Sequence, residues 1–133
     1  MKNTSMKHKI LLIDDQRVIC LLLANFLSKD YDITCKQSGK EALLWLEHNL
    51  PDLIICDLQM PEMDGLEVLT QVRSRGFTKH TPFLILSATA ESRERIKCYR
   101  QGAQDYIEKP FNPEELKEII NKNLHPLNYA RQW

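Results

Sequence analysis

The chain has 133 residues, 43% of them hydrophobic and 27% charged, with 18 Lys plus Arg against 18 Asp plus Glu. That length predicts one domain rather than a multidomain enzyme, and the composition is that of a chain able to bury a core, not of a disordered or fibrous one. A formal net charge of zero gives no global field for holding nucleic acid or an anionic membrane, so no direct nucleic-acid binding is expected and function must rest on local clusters.

Met1 to Lys9 lacks an apolar core, and the first apolar run ends at two acids, so no signal peptide is expected. No stretch approaches the ~18 apolar residues of a membrane-spanning helix, and the expected location is cytoplasmic. Residues 9–124 are expected to form the domain, with 1–8 as an N-terminal extension and 125–133 as a docking stub or the start of a linker. Cys20, Cys35, Cys56 and Cys98 show no C-x-x-C spacing and no histidines at finger distance, so they read as reduced structural thiols.

Ile10 to Ile13 is a fully apolar run closed by Asp14 and Asp15, the pattern of a strand buried on both faces. Val18, Ile19, Leu22, Leu23, Phe26 and Leu27 then follow a three-and-four spacing that predicts a helix with that stripe against the core. Ile33 to Lys36 is a weaker strand candidate, and Ala42, Leu43 and Leu46 mark a second helix. Leu53 to Cys56 runs apolar into Asp57, and Val68, Leu69 and Val72 repeat the helical period before Gly76. Pro82 to Leu86 runs into Ser87. The segment from Glu91 to Gln101 is crowded with charge. Ile96, Tyr99 and Cys98 are its candidates for the core, and it should be the least firmly anchored helix. Tyr106 to Glu108 leads into Lys109 and Pro110, and the last helix, with Leu116, Ile119, Ile120 and Leu124, begins at Asn112 as N-cap and Pro113 in the first turn, followed by Glu114 and Glu115. Five strands alternating with five helices predict an α/β fold, a mostly parallel sheet covered on both faces.

In such a sheet the carboxyl ends of the strands form one edge, and ligands bind there where the strand order reverses. Asp14, Asp15, Asp57, Ser87 and Lys109 all follow or end strands and can converge on that edge. Three close carboxylates repel one another unless a cation joins them, and an all-oxygen donor set suggests Mg²⁺. Asp57 is then the best candidate for a carboxylate nucleophile that forms an aspartyl phosphate. Lys109 and Ser87 are the residue types that match the remaining phosphoryl oxygens. Cys56 should point to the sheet face opposite Asp57 and read as core filler.

These residues resemble the receiver domains of two-component response regulators over roughly Lys9 to Leu124. The resemblance rests on Asp14-Asp15 after a first strand, on Asp57-Leu58-Gln59-Met60-Pro61 followed by Met63-Asp64-Gly65, on Ser87-Ala88, and on Gly102-Ala103-Gln104-Asp105-Tyr106 leading to Lys109-Pro110-Phe111. It implies a flavodoxin-like three-layer fold with strand order 2-1-3-4-5. It also implies phosphoryl transfer to Asp57 from a sensor histidine kinase or a phosphotransfer protein, and control of a downstream protein or a fused output domain. By the same resemblance Asp15, Asp57 and the backbone carbonyl of Gln59 ligate Mg²⁺ (or Mn²⁺), with Asp14 acting through water. Lys109 pairs with the phosphoryl group, Ser87 turns toward it, and Tyr106 swings inward to reshape the face made by the fourth helix, fifth strand and fifth helix. Gln59 and Thr89 occupy the two positions that tune dephosphorylation, and Pro110 follows a cis peptide bond. Phosphorylation-dependent dimerisation through the switching face stays open, although Glu114 and Glu115 stand where some dimer-forming DNA-binding regulators carry a basic residue.

Three other readings compete. A Mg²⁺-dependent phosphohydrolase with an aspartate nucleophile needs an acid two residues past it, where this chain has Gln59. A flavin-binding protein of the same architecture needs a phosphate loop, where Asp14 and Asp15 would repel the cofactor. A receiver acting without phosphorylation would not need the acid triad and Lys109.

Overall fold

The computed structural model describes residues 6–127. Part of the expected N-terminal extension, residues 1–5, and most of the expected C-terminal stub, residues 128–133, lie outside the described residues. Strands and helices alternate as β1 (Lys9–Ile13), α1 (Arg17–Leu27), β2 (Asp32–Lys36), α2 (Gly39–Trp45), β3 (Leu53–Asp57), α3 (Gly65–Arg73), β4 (Phe83–Ser87), α4 (Ser92–Gln101), β5 (Asp105–Glu108) and α5 (Pro113–Leu124). The strands form one parallel sheet in the order β2-β1-β3-β4-β5. This is the flavodoxin-like arrangement, and its order reverses between β1 and β3.

The apolar runs are strands because they are covered on both faces, and alternate residues feed two separate cores. Leu11, Ile13, Ile54, Cys56, Phe83 and Ile85 pack with Ala42, Leu43, Val68, Leu69, Val72 and Cys98 from α2, α3 and α4. Ile10, Leu12, Leu53, Ile55, Leu84 and Leu86 pack with Cys20, Leu23, Leu27, Leu116 and Ile120 from α1 and α5. The predicted cap forms, with Asn112 Oδ1 accepting the amides of Glu114 and Glu115, and the structure adds one the sequence reading did not name, a reciprocal capping box of Asp64 with Glu67 at the start of α3.

Two helical phases differ from the sequence expectation. In α1 the buried residues are Cys20, Leu23 and Leu27, whereas Val18 and Leu22 are more than 60% exposed. Residues 18–23 are all apolar, so no polar residue fixes which side faces inward. The helix turns Cys20 down and leaves Val18, Leu21 and Leu22 to solvent. In α4 the small Cys98 is fully buried, and the larger Ile96 and Tyr99 stay exposed. α4 therefore rests on the sheet through one fully buried side chain, in line with its expected light anchoring. It ends at Gly102, φ 109°, a left-handed conformation that favours glycine. Among the described residues no helix is long and apolar enough to cross a membrane.

Candidate functional site

The carboxyl ends of β1, β3, β4 and β5 meet where the strand order reverses, and the five predicted side chains sit there. Asp57 ends β3 and is 5% exposed, and Asp14, just past β1, is fully buried, while Asp15 is exposed. One carboxylate oxygen from each of the three lies within 4.8 Å of the others. Lys109 Nζ reaches between the buried pair, 3.2 Å from Asp57 Oδ1 and 3.5 Å from Asp14 Oδ2. Its backbone is fixed by the Lys109 amide, which donates to the Ser87 carbonyl at 2.7 Å and carries the last hydrogen bond between β4 and the chain leaving β5. The Lys109–Pro110 peptide bond is cis, as the resemblance implies.

The charges do not balance. Burial first, and then the Asp14 carboxylate, hold Asp57 above the ordinary carboxylate range, and Lys109 only partly offsets them. Asp14 Oδ1 accepts the Gln16 amide at 2.9 Å, but Asp14 Oδ2 is buried without a hydrogen-bond partner. A buried carboxylate oxygen with one ammonium at 3.5 Å and no hydrogen bond is costly unless something else meets it. A hard divalent cation fits this donor set: oxygen ligands only, two of them buried, with an exposed third at the rim.

Ser87 is fully buried at the end of β4, and its Oγ accepts the Thr89 amide at 3.1 Å. A hydroxyl that accepts there keeps its own proton for another acceptor. Tyr106 is 9% exposed and its hydroxyl donates to the Thr89 carbonyl at 3.0 Å, so its ring is turned inward. Thr89 Oγ1 accepts the Glu91 amide at 3.3 Å. Gln59 is exposed and shares with Leu58, Met60, Asp64 and Thr89 a cleft of about 540 Å³ formed by the loops after β3 and β4. Sequence reasoning missed the hold on this loop: Arg95 Nη2 donates to the Ala90 carbonyl at 3.1 Å. The loop after Asp57 is fixed at its far end by Gly65, whose amide donates to the Leu58 carbonyl at 2.8 Å. A Cβ at Gly65 would lie 2.6 Å from the Asp57 carbonyl oxygen, so no side chain fits there. Cys56 faces the opposite core, as expected, and its thiol donates to the Asp57 carbonyl at 3.3 Å.

A profile described as the response regulator receiver domain matches residues 10–121. Over 120 residues the chain is 38% identical to the alkaline phosphatase synthesis transcriptional regulatory protein PhoP of Bacillus subtilis, covering 90% of this chain and 49% of that protein. Over 109 residues it is 41% identical to the response regulator MprA of a Mycobacterium species, covering 81% of this chain and 46% of that one. The chain thus spans about half the length of these two curated relatives. Among solved structures, the chemotaxis protein CheY4 of Vibrio cholerae superposes with a TM-score of 0.85 at 31% identity, covering 90% of this chain and all of that one. The receiver domain of the Francisella response regulator 1452 does so with a TM-score of 0.84 at 31% identity, covering 91% and 99%.

Proposed function

Because the chain belongs to the response regulator receiver domain family, we propose that it is a switch set by a phosphoryl group on Asp57, donated by the phosphohistidine of a kinase or phosphotransfer protein. The observation that carries this reading is the pairing of Asp57 with Lys109 at 3.2 Å beside a buried Asp14 oxygen without a hydrogen bond. Asp15, Asp57 and the Gln59 carbonyl would hold Mg²⁺, with Asp14 acting through water; when bound, the ion would supply positive charge to the phosphoryl oxygens and relieve the carboxylate repulsion.

The chain's own residues do the rest. An Asp57 carboxylate oxygen attacks phosphorus, the P–N bond to the donor imidazole breaks, and its electron pair stays on the ring nitrogen. Lys109 meets the negative charge that arrives on the phosphoryl oxygens, and Ser87 turns its hydroxyl proton to one of them. Hydrolysis reverses the gain: water attacks phosphorus and the P–O bond to Asp57 breaks. Gln59 and Thr89 border the approach of that water and set its rate. Tyr106, bonded to the loop that carries Thr89, reports the state of Ser87 to α4, β5 and α5. Val18, Leu21 and Leu22, exposed on α1 just past Asp14 and Asp15, give a protein donor an apolar face to cover beside the acceptor. The two curated regulators are about twice as long as this chain, so the output it controls, whether a separate protein or a fused domain, belongs to the same proposal, as does a cytoplasmic setting.

The test is incubation with Mg²⁺ and acetyl phosphate followed by intact mass. One added phosphoryl group is expected on the wild type and none on Asp57→Ala or without the metal. An adduct retained by Asp57→Ala would overturn the assignment. Leu22→Glu is expected to take up phosphoryl from acetyl phosphate at the wild-type rate and from a protein donor at least about tenfold more slowly, the effect of a buried charge in an interface.

A further inference from the structure

The β4–α4 loop is gripped at consecutive backbone groups by four side chains. The Thr89 amide goes to Ser87 Oγ, the Thr89 carbonyl takes the Tyr106 hydroxyl, the Ala90 carbonyl takes Arg95 Nη2, and the Glu91 amide goes to Thr89 Oγ1. Three of those side chains come from the loop itself or from residues already assigned to the switch. Arg95 does not. It lies in the first turns of α4, a helix with no side-chain cap at its start and one buried side chain, Cys98. Its guanidinium carbon stands 5.7 Å from the centroid of the Tyr106 ring. The neighbouring Glu94 pairs with Lys97 at 3.6 Å, which leaves the Arg95 guanidinium to the carbonyl and the ring.

A guanidinium suits both contacts at once, because its plane covers an aromatic face while its edge donates hydrogen bonds. We propose that Arg95 is a positioning residue of the switch: it clasps the inward Tyr106 ring and the Ala90 carbonyl together, so that the loop following Ser87 is held ready before a phosphoryl group arrives. The clasp rests on the reading of Asp57 as acceptor and Tyr106 as switch. A ligand that selects one arrangement binds in proportion to how much of the free protein already has it. Removing the clasp therefore weakens binding of a phosphoryl mimic without touching Asp57, Lys109 or the carboxylates.

The experiment measures Mg²⁺-dependent beryllofluoride affinity on the full chain for wild type, Arg95→Met and Arg95→Lys, each with and without Tyr106→Leu. Arg95→Met keeps the length of the side chain and loses its charge and donors. It is expected to weaken binding about two- to fivefold, the range of one cation–π contact, with Arg95→Lys recovering part of the loss. With Tyr106→Leu present, Arg95→Met should change affinity less than about 1.5-fold, because the ring it acts through is gone. In parallel, the δ protons of Arg95 should carry an upfield ring-current shift that disappears in Tyr106→Leu. Equal weakening in both backgrounds, or binding by Arg95→Met as tight as wild type, would overturn the clasp and leave the phosphoacceptor reading intact. A folded wild type that takes up no beryllofluoride would overturn both.

Discussion

α4 and α5 follow consecutive strands of the sheet, and they are held to it very differently. α5 opens on Asn112, whose carboxamide oxygen accepts two amides at 2.8 and 3.2 Å, carries Pro113 in its first turn, and buries Leu116 and Ile120 completely. α4 opens on Glu91 without a side-chain cap and buries Cys98 alone, with Ile96 and Tyr99 at 47% and 44% exposure. Since the cost of lifting an element scales with the apolar area it must uncover, α5 is frame and α4 is the part able to move. The contrast places the lightly held helix next to Tyr106 and the loop after Ser87, where the proposed switch needs compliance.

The largest expected effect tests the frame. Leu116→Ala should cost about 2–5 kcal/mol in denaturant unfolding, while Cys98→Ala on the other helix should cost about 1 kcal/mol. Equal costs would erase the distinction. Native-state hydrogen exchange sharpens it: amides of α4 should exchange through openings well below the global unfolding free energy and those in the middle of α5 close to it. The smallest effect concerns the contact that ties α5 to the end of α1, Lys117 Nζ to Asp30 Oδ2 at 2.6 Å. The hydrogen bond from Lys117 holds the Asp30 carboxyl below its ordinary 3.8. A lowered carboxyl value gives stability that is present above 3.8 and is lost as pH falls through the folded value. Asp30→Asn should therefore lower the melting temperature slightly at neutral pH, and that difference should vanish on acidification to about pH 2. A difference that persists in acid would mean the ion pair contributes nothing to holding α5.

Much of this was readable from the residues. Ile10 to Ile13, Leu53 to Cys56 and Leu84 to Leu86 are apolar without alternation, which leaves a doubly covered strand as their main solution. The acids and the lysine sit at the ends of those runs, so a parallel sheet brings them together without any knowledge of loops. Phase within a helix was harder. Residues 18–23 offer apolar side chains on every side, and the sheet selected Cys20 over Val18 and Leu22. In α4 the core turned a thiol inward over two larger side chains. The hold on residues 89–91 left no trace in spacing, because it joins backbone groups to side chains 2 to 17 positions away. A hydrogen bond to a carbonyl places no demand on the residue type that carries it.

For directed evolution of this chain toward a new partner under the proposed function, residues 58–64 form a cassette bounded by one immovable seam. Gly65 lies so close to the end of β3 that an added methyl would overlap the Asp57 carbonyl at 2.6 Å and the Leu58 Cα at 2.9 Å. A library that randomises Gln59, Pro61 and Glu62 and leaves Gly65 alone samples new rims around an unchanged Asp57. One that includes Gly65 spends most of its members on displaced backbone. In a deep mutational scan, Gly65 should tolerate far fewer substitutions than the exposed Gln59, Pro61 and Glu62.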